Sequence, residues 1–226
     1  MIGLALRTIV RYVVPLAIAT FLVVAPFAAL AFRSPWPRDL ASANFALGRG
    51  FAIAGTAWIA TFVLVGAAAP LVRSVAAGAP LSQLRAVTAA VGNAIRMALP
   101  CLAACAAIVV SGLALFVPAL VLLVLLALTG ASTERGMPAP LVDSVAVARA
   151  RWRPIVVIVG IMLVVDVALA FAAWKLVAVP FAKKLAPAQW ATYGNVARVV
   201  VLGVAATAPV FATLLAAVRV TARPTA

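Results

Sequence analysis

Only four side chains in this 226-residue chain carry a carboxylate, Asp39, Glu134, Asp143 and Asp166, and there is no histidine. General acid–base catalysis relies on positioned histidines, acids or amines, and a Ser-His-Asp relay needs the imidazole itself. A triad therefore has no material here. Asp39 is expected on the opposite membrane face from Glu134 and Asp143, so a paired-carboxylate site is not expected either. Cys101 and Cys105 stand four residues apart in an apolar run. On a helix that spacing puts their Cβ atoms about 5–6 Å apart, beyond the usual reach of a disulfide. Without histidine or further thiols they do not make a metal site, and small apolar packing accounts for them. Gly48-Arg49-Gly50 lacks the surroundings of a nucleotide-binding loop. No enzyme activity, metal or cofactor is expected.

Two other features could do work that is not catalysis. Asp166 lies twelve residues past Pro154, about 18 Å along a helix, and so near the middle of a membrane span. An ionisable group at that depth suggests a proton relay, a cation site or a gating partner. The alternative is a neutral acid bonded to a Ser, a Thr or a backbone carbonyl, since desolvation favours the uncharged form of a carboxyl group. Thr207 and Ser111 are candidate partners. Ala170 and Ala173 share the face of Asp166, which points that face into a helix bundle. The second feature is the cluster Arg149, Arg151, Trp152 and Arg153. It can contact anionic lipid headgroups, or it can serve only to fix orientation in the membrane.

The elements that must position these groups are set by composition. Hydrophobic residues make up 67% of the chain and charged ones 10%, with a mean hydropathy of +1.24. Water-soluble domains hold about 45–50% apolar and about 25% charged residues, so the chain belongs in a bilayer. The net charge of +14 would suggest nucleic acid in a soluble protein. Here the basic residues fall between apolar runs, without the aromatic–basic interleaving of a nucleic-acid surface, and nucleic acid is not expected as a partner. The partners expected are the phospholipid bilayer, its anionic headgroups, and another membrane protein or a second copy. The richness in Ala, Val, Arg and Pro resembles a GC-rich bacterial genome and points to a bacterial inner membrane.

Spans of about 20 apolar residues are expected at 13–32, 51–72, 99–115, 118–134, 154–175 and 196–218. The first is read as a retained helix; a cleaved signal peptide ending near Ala28-Ala29-Leu30-Ala31 is the rival. The run 99–129 is too long for one crossing, and Ser111-Gly112 and Pro118 supply the break for a helical hairpin, with one long tilted helix as the competitor. Leu81, Leu84, Val91 and Ile95 recur at helical spacing, predicting an interfacial amphipathic helix over 81–98. A second is expected over 139–153, and another interfacial segment over 180–195. Trp36, between Arg33 and Arg38, suits a membrane interface, and Ala52, Thr56 and Ala60 form a small-residue stripe. Pro209 lies inside the last span. The expected architecture is an all-α, polytopic membrane protein of about six spans with two or more interfacial helices. Eleven of the 18 basic residues fall on the side of the two termini and seven on the other, which places both termini in the cytoplasm.

Three arginine-bearing segments run into a proline and then an apolar stretch, at Pro15, Pro100 and Pro154. Those at Pro100 and Pro154 read as matching units of amphipathic helix plus span, and the one at Pro15 as a positively charged start. The motifs Gly112-Leu-Ala-Leu-Phe-Val-Pro118, Gly136-Met-Pro-Ala-Pro-Leu-Val-Asp143-Ser-Val and Ala150-Arg-Trp-Arg-Pro154 resemble the membrane region associated with glycerophosphoryl diester phosphodiesterases and related bacterial inner-membrane proteins. The resemblance covers about residues 75–170. It departs from the pattern at Ala119, where glycine is frequent, and at Val147, near a common tryptophan. It implies a non-catalytic multi-helix module, because the phosphodiesterase chemistry of that group belongs to a separate soluble domain. The expected function is a membrane scaffold or interaction module, with a small transporter or channel-like subunit using Asp166 as the alternative.

Overall fold

The structure, a computed structural model, describes residues 1–33, 55, 60–114, 116–132, 140–173 and 186–222. The loop around Trp36 and Asp39, the stripe positions Ala52 and Thr56, the segment with Glu134, and Lys175, Lys183 and Lys184 lie outside the described residues. Every regular element among the described residues is an α-helix. The helices are α1 (Ile2–Arg11), α2 (Val13–Arg33), α3 (Ala60–Ala76), α4 (Gln83–Ala114), α5 (Phe116–Leu126), α6 (Thr129–Ser132), α7 (Pro140–Ala150), α8 (Trp152–Ala173) and α9 (Ala186–Thr221). Among the described residues three helical stretches are long and apolar enough to cross a membrane, Gln83–Gly112, Trp152–Ala172 and Arg198–Thr221, and the bent pair α1 and α2 passes the same test only if it is counted as one span.

Prolines set many of the boundaries. Pro140 is the first residue of α7, and Pro15, Pro118 and Pro154 are the third residues of α2, α5 and α8. In a first helical turn the backbone N–H has no intrahelical acceptor, so proline costs nothing there. Pro100 behaves differently: it sits inside α4, which runs unbroken from Gln83 to Ala114. The boundary expected at residue 98 is absent, and residues 81–98 do not form a helix of their own. The matching units are instead at Pro15 and Pro154. Each is a short helix, a one-residue break at Tyr12 or Arg151, and a long apolar helix with proline in third place.

Other boundaries also moved. α9 begins at Ala186, so most of the interfacial segment expected at 180–195 is continuous with the last helix. The second limb of the hairpin is divided into α5 and the single turn α6, with the Thr129 hydroxyl donating back to the Leu126 carbonyl at 2.8 Å. α4 and α5 do fold back on each other, with Gly112 near Ala119 where they meet. α3 ends in a Schellman motif: Gly78 has φ +66°, its N–H donates to Val75 O, and the Ala79 N–H donates to Ser74 O. Glycine tolerates that left-handed conformation without steric cost.

The chain forms two compact units, one of Met1–Val23, Thr61–Ile161 and Ala208–Ala226, the other of Val24–Ala60 and Met162–Thr207. At the centre of the first is α3, with Phe62, Leu64, Val65, Leu71 and Val72 fully enclosed. Gly66 of α3 meets Gly130 of α6 backbone to backbone. A Cβ at Gly130 would lie 2.7 Å from Gly66 N and would collide with the Phe62 carbonyl. Pro70, one turn later in α3, has no N–H to give the Gly66 carbonyl. The Asn93 side-chain amide of α4 donates to that carbonyl at 2.7 Å instead. In the second unit, Val24 of α2 and Val201 of α9 form a core with Phe27, Ala28 and Ala205, and Gly203 of α9 lies against the Leu169 side chain of α8.

The face of α4 that packs is its small one. Ala86, Ala90, Ala94, Met97, Cys101 and Ala104 are buried, whereas Leu84, Ile95 and Leu99 are 77%, 71% and 77% exposed. Of the stripe read from Leu81, Leu84, Val91 and Ile95, Leu84 and Ile95 face outward, Val91 is half-buried, and Leu81, also half-buried, precedes the helix. Both cysteines are free and buried on the packed side.

Candidate functional site

The arginine cluster sits at the corner where α7 ends and α8 begins. Asp143 lies in the first turn of α7 and Arg149 in its last, placements that complement the helix dipole. Ser144, Val147 and Ala148 turn inward, and the Ser144 hydroxyl donates to the Leu125 carbonyl of α5 at 2.7 Å. That contact fixes the roll of α7 and leaves Arg149 outside. At the break, Arg151 donates from Nη2 to the Thr221 carbonyl at the end of α9, 3.4 Å away and exposed. Arg153 stacks its guanidinium 5.7 Å from the centre of the Trp152 ring, within cation–π range. All four residues are exposed, so the corner presents three guanidinium groups and an indole together.

Behind that surface is an ion pair that sequence reasoning missed. Arg219, in the last turn of α9, donates from Nη2 to both Asp143 oxygens, at 2.8 and 3.0 Å. The two side chains are only 5% and 10% exposed. One nitrogen spans the whole carboxylate, and among the described residues Arg219 Nε has no hydrogen-bond partner. The two-nitrogen fork that makes arginine–carboxylate pairs strong is thus only half used. A sequence separation of 76 between the partners left no local spacing signal to announce the pair. The one hint was a lone acid beginning one helix and a lone base ending another.

Asp166 is placed by α8 within the second unit, and both its carboxylate oxygens are buried. Leu169, one turn on, packs on Gly203, and Thr207 lies one turn beyond Gly203. The Thr207 hydroxyl donates within its own helix, to the Gly203 carbonyl at 3.1 Å and the Val204 carbonyl at 3.3 Å. Ser111, the other candidate partner, lies in the first unit.

A third node was also not foreseen. Tyr12 is completely buried at the break between α1 and α2. Its hydroxyl accepts from the Leu81 N–H at 2.7 Å and lies 3.1 Å from Ser74 Oγ. Ser74 donates its own proton to the Leu71 carbonyl at 2.8 Å, and the Tyr12 hydroxyl has two acceptors in reach, Ser74 Oγ at 3.1 Å and the Leu81 carbonyl at 3.3 Å. Gln83 adds a bond from Nε2 to the Arg11 carbonyl at 3.1 Å. A tyrosine in an apolar run calls for a buried partner, but the partner lies 69 residues away.

These features define an all-helical protein with several apolar helices compatible with membrane insertion. No known family, curated protein or solved structure matches the chain. The resemblance over residues 75–170 accordingly rests on its quoted motifs alone.

Proposed function

We propose that the chain is a six-crossing protein of a bacterial inner membrane, with both termini cytoplasmic, acting as a non-enzymatic scaffold or interaction module. The observation that supports this most is the polarity of packing. Alanines and glycines meet inside, while Ile95 and Leu99 of α4, Val157 and Val164 of α8, and Phe21 of α2 face outward. In water each such side chain forgoes about 1.5–3 kcal/mol of burial. In lipid it forgoes nothing, and close approach of small residues becomes the packing force. The three long helices and α2 supply four crossings. The shorter apolar helices Ala60–Ala76 and Val117–Ala131 supply the other two, matched by local thinning of the bilayer.

On this reading Arg149, Arg151, Trp152 and Arg153 contact anionic headgroups of the cytoplasmic leaflet, and the scaffold engages a membrane-protein partner or a second copy. Extraction of the protein from its native membrane into polymer nanodiscs tests both statements. A co-purifying membrane protein or second copy at fixed stoichiometry is expected, with anionic lipid enriched over the bulk membrane. The variant R149Q/R151Q/R153Q is expected to lose that enrichment while staying folded. A lone monomer without lipid selectivity would sink the reading.

Asp166 favours a second reading, a small transporter or channel-like subunit. Asp166→Asn keeps the shape and removes the charge. Loss of proton- or cation-dependent flux from reconstituted vesicles would carry this reading, and equal flux in the two proteins would end it.

A further inference from the structure

The N-terminal helix α1 divides its surface in three. Ala5 and Thr8 are buried, continuous with the fully enclosed Tyr12. Ile2, Leu6 and Val10 are 67%, 62% and 74% exposed, at a spacing of four that keeps them on one stripe. Arg7 and Arg11 are exposed on a third. At 3.6 residues per turn the three stripes lie about 120° apart. The helix contains no acid.

Its direction is fixed. α1 meets α2 at 86°, so it adds almost no length along the α2 axis. α2 does not need that length, because its 21 residues span about 31 Å, close to the thickness of the hydrocarbon core. The elbow is fastened by the Tyr12 bonds to Ser74 and Leu81 and by the Gln83 bond to the Arg11 carbonyl. Beyond the elbow the outward apolar surface resumes with Val13, Val14 and Ile18 of α2.

We infer that α1 is an in-plane membrane anchor: Ile2, Leu6 and Val10 dip into the headgroup–acyl boundary, and Arg7 and Arg11 bind the phosphates of anionic lipids in the leaflet that α2 enters. An isolated apolar stripe could meet many partners. A stripe set at a right angle to an inserting helix, continuous with its outward face and flanked by two exposed arginines, fits a lipid surface. The inference rests on the membrane reading above, and its test separates the two.

Nitroxide labels are placed singly at Leu6, Arg7 and Val164 in the full chain, in a C101A/C105A background whose helicity is first verified by circular dichroism. Each protein is reconstituted into phosphatidylcholine vesicles with and without phosphatidylglycerol. The label at position 6 is expected about 5–10 Å below the phosphates, accessible to oxygen and shielded from a water-soluble nickel collider. The label at position 7 is expected to show the reverse. Adding phosphatidylglycerol is expected to immobilise the position 7 label, and removing the remaining charge with Arg11→Gln to weaken that response. A water-accessible label at 164 would defeat the membrane reading itself. A lipid-exposed label at 164 with a water-accessible label at 6, or one at 6 shielded from both colliders, would overturn the anchor alone. An unchanged position 7 spectrum on adding phosphatidylglycerol would overturn the headgroup contact.

Discussion

The Asn93–Gly66 contact makes a prediction that can be worked through quantitatively. Pro70 deprives the Gly66 carbonyl of its intrahelical donor, and Asn93 supplies the replacement at 2.7 Å. Asn93→Leu, close to isosteric, leaves that carbonyl without a donor inside the first unit. An orphaned buried polar group costs about 1–3 kcal/mol. Pro70→Ala restores an N–H at position 70, which can close the ordinary i→i−4 bond to Gly66. In that background the carbonyl no longer depends on Asn93, and the cost of Asn93→Leu should fall below about 1 kcal/mol, the size of an ordinary net hydrogen bond. The double-mutant cycle should therefore show a coupling of about 1–2 kcal/mol, within the range found for residues that share a partner. Any cavity left by shortening Pro70 cancels in the cycle. Reversible unfolding of the four proteins in mixed micelles, titrated with dodecyl sulfate and followed by far-ultraviolet circular dichroism, reads the four free energies. If Asn93→Leu costs the same in the parent as in the Pro70→Ala background, the carbonyl-rescue argument is wrong and Asn93 matters only through packing.

Two further predictions rest on the same accounting of buried polar groups. Asp143→Ala strands the Arg219 guanidinium and should cost about 3–5 kcal/mol, whereas D143L/R219M, which removes both charges, should come out near neutral or stabilising; the same micelle titration decides, and a mild single variant would show the pair to be solvated. Tyr12→Phe removes the acceptor for the Leu81 N–H and should cost about 1–3 kcal/mol, with faster amide exchange at Leu81 than in the parent. Unchanged exchange there would mean the α1–α2 elbow is held by other contacts.

The elements themselves were largely legible. The helices at 13–33, 152–173 and the end of α9 follow from uninterrupted apolar runs, and the hairpin of α4 and α5 from Ser111-Gly112 and Pro118. The reading failed at Pro100 and Pro15 for one reason. A proline's effect depends on whether its residue falls in a first turn or mid-helix, and the phase of the helix is set by its packed face. In α4 that face runs straight through residue 100, from Met97 to Cys101 and Ala104, so the helix tolerates the lost bond. Around Tyr12, the buried tyrosine and its distant partners end α1 and turn the chain instead.

For the candidate site, the exposed half was visible and the buried half was not. Arg149, Arg151, Trp152 and Arg153 are neighbours in sequence, and one helix turn suffices to group them. Arg219, Ser74, Leu81 and Asn93 act on partners 27 to 76 residues away, and only the fold brings them within hydrogen-bond reach.

What the sequence by itself determined is the helical, apolar character: two-thirds apolar residues in long uninterrupted runs give helices compatible with membrane insertion. The tertiary structure decided which faces pack. In water the larger apolar face turns inward, and periodicity alone identifies it. On the proposed membrane reading both faces of α4 are equally at home in lipid, and shape, not hydrophobicity, selects the alanine side as the interior. The same structure chose the partners for each carbonyl that a proline set free and for each charge drawn out of solvent, because a buried polar group must be satisfied by whatever the fold brings near.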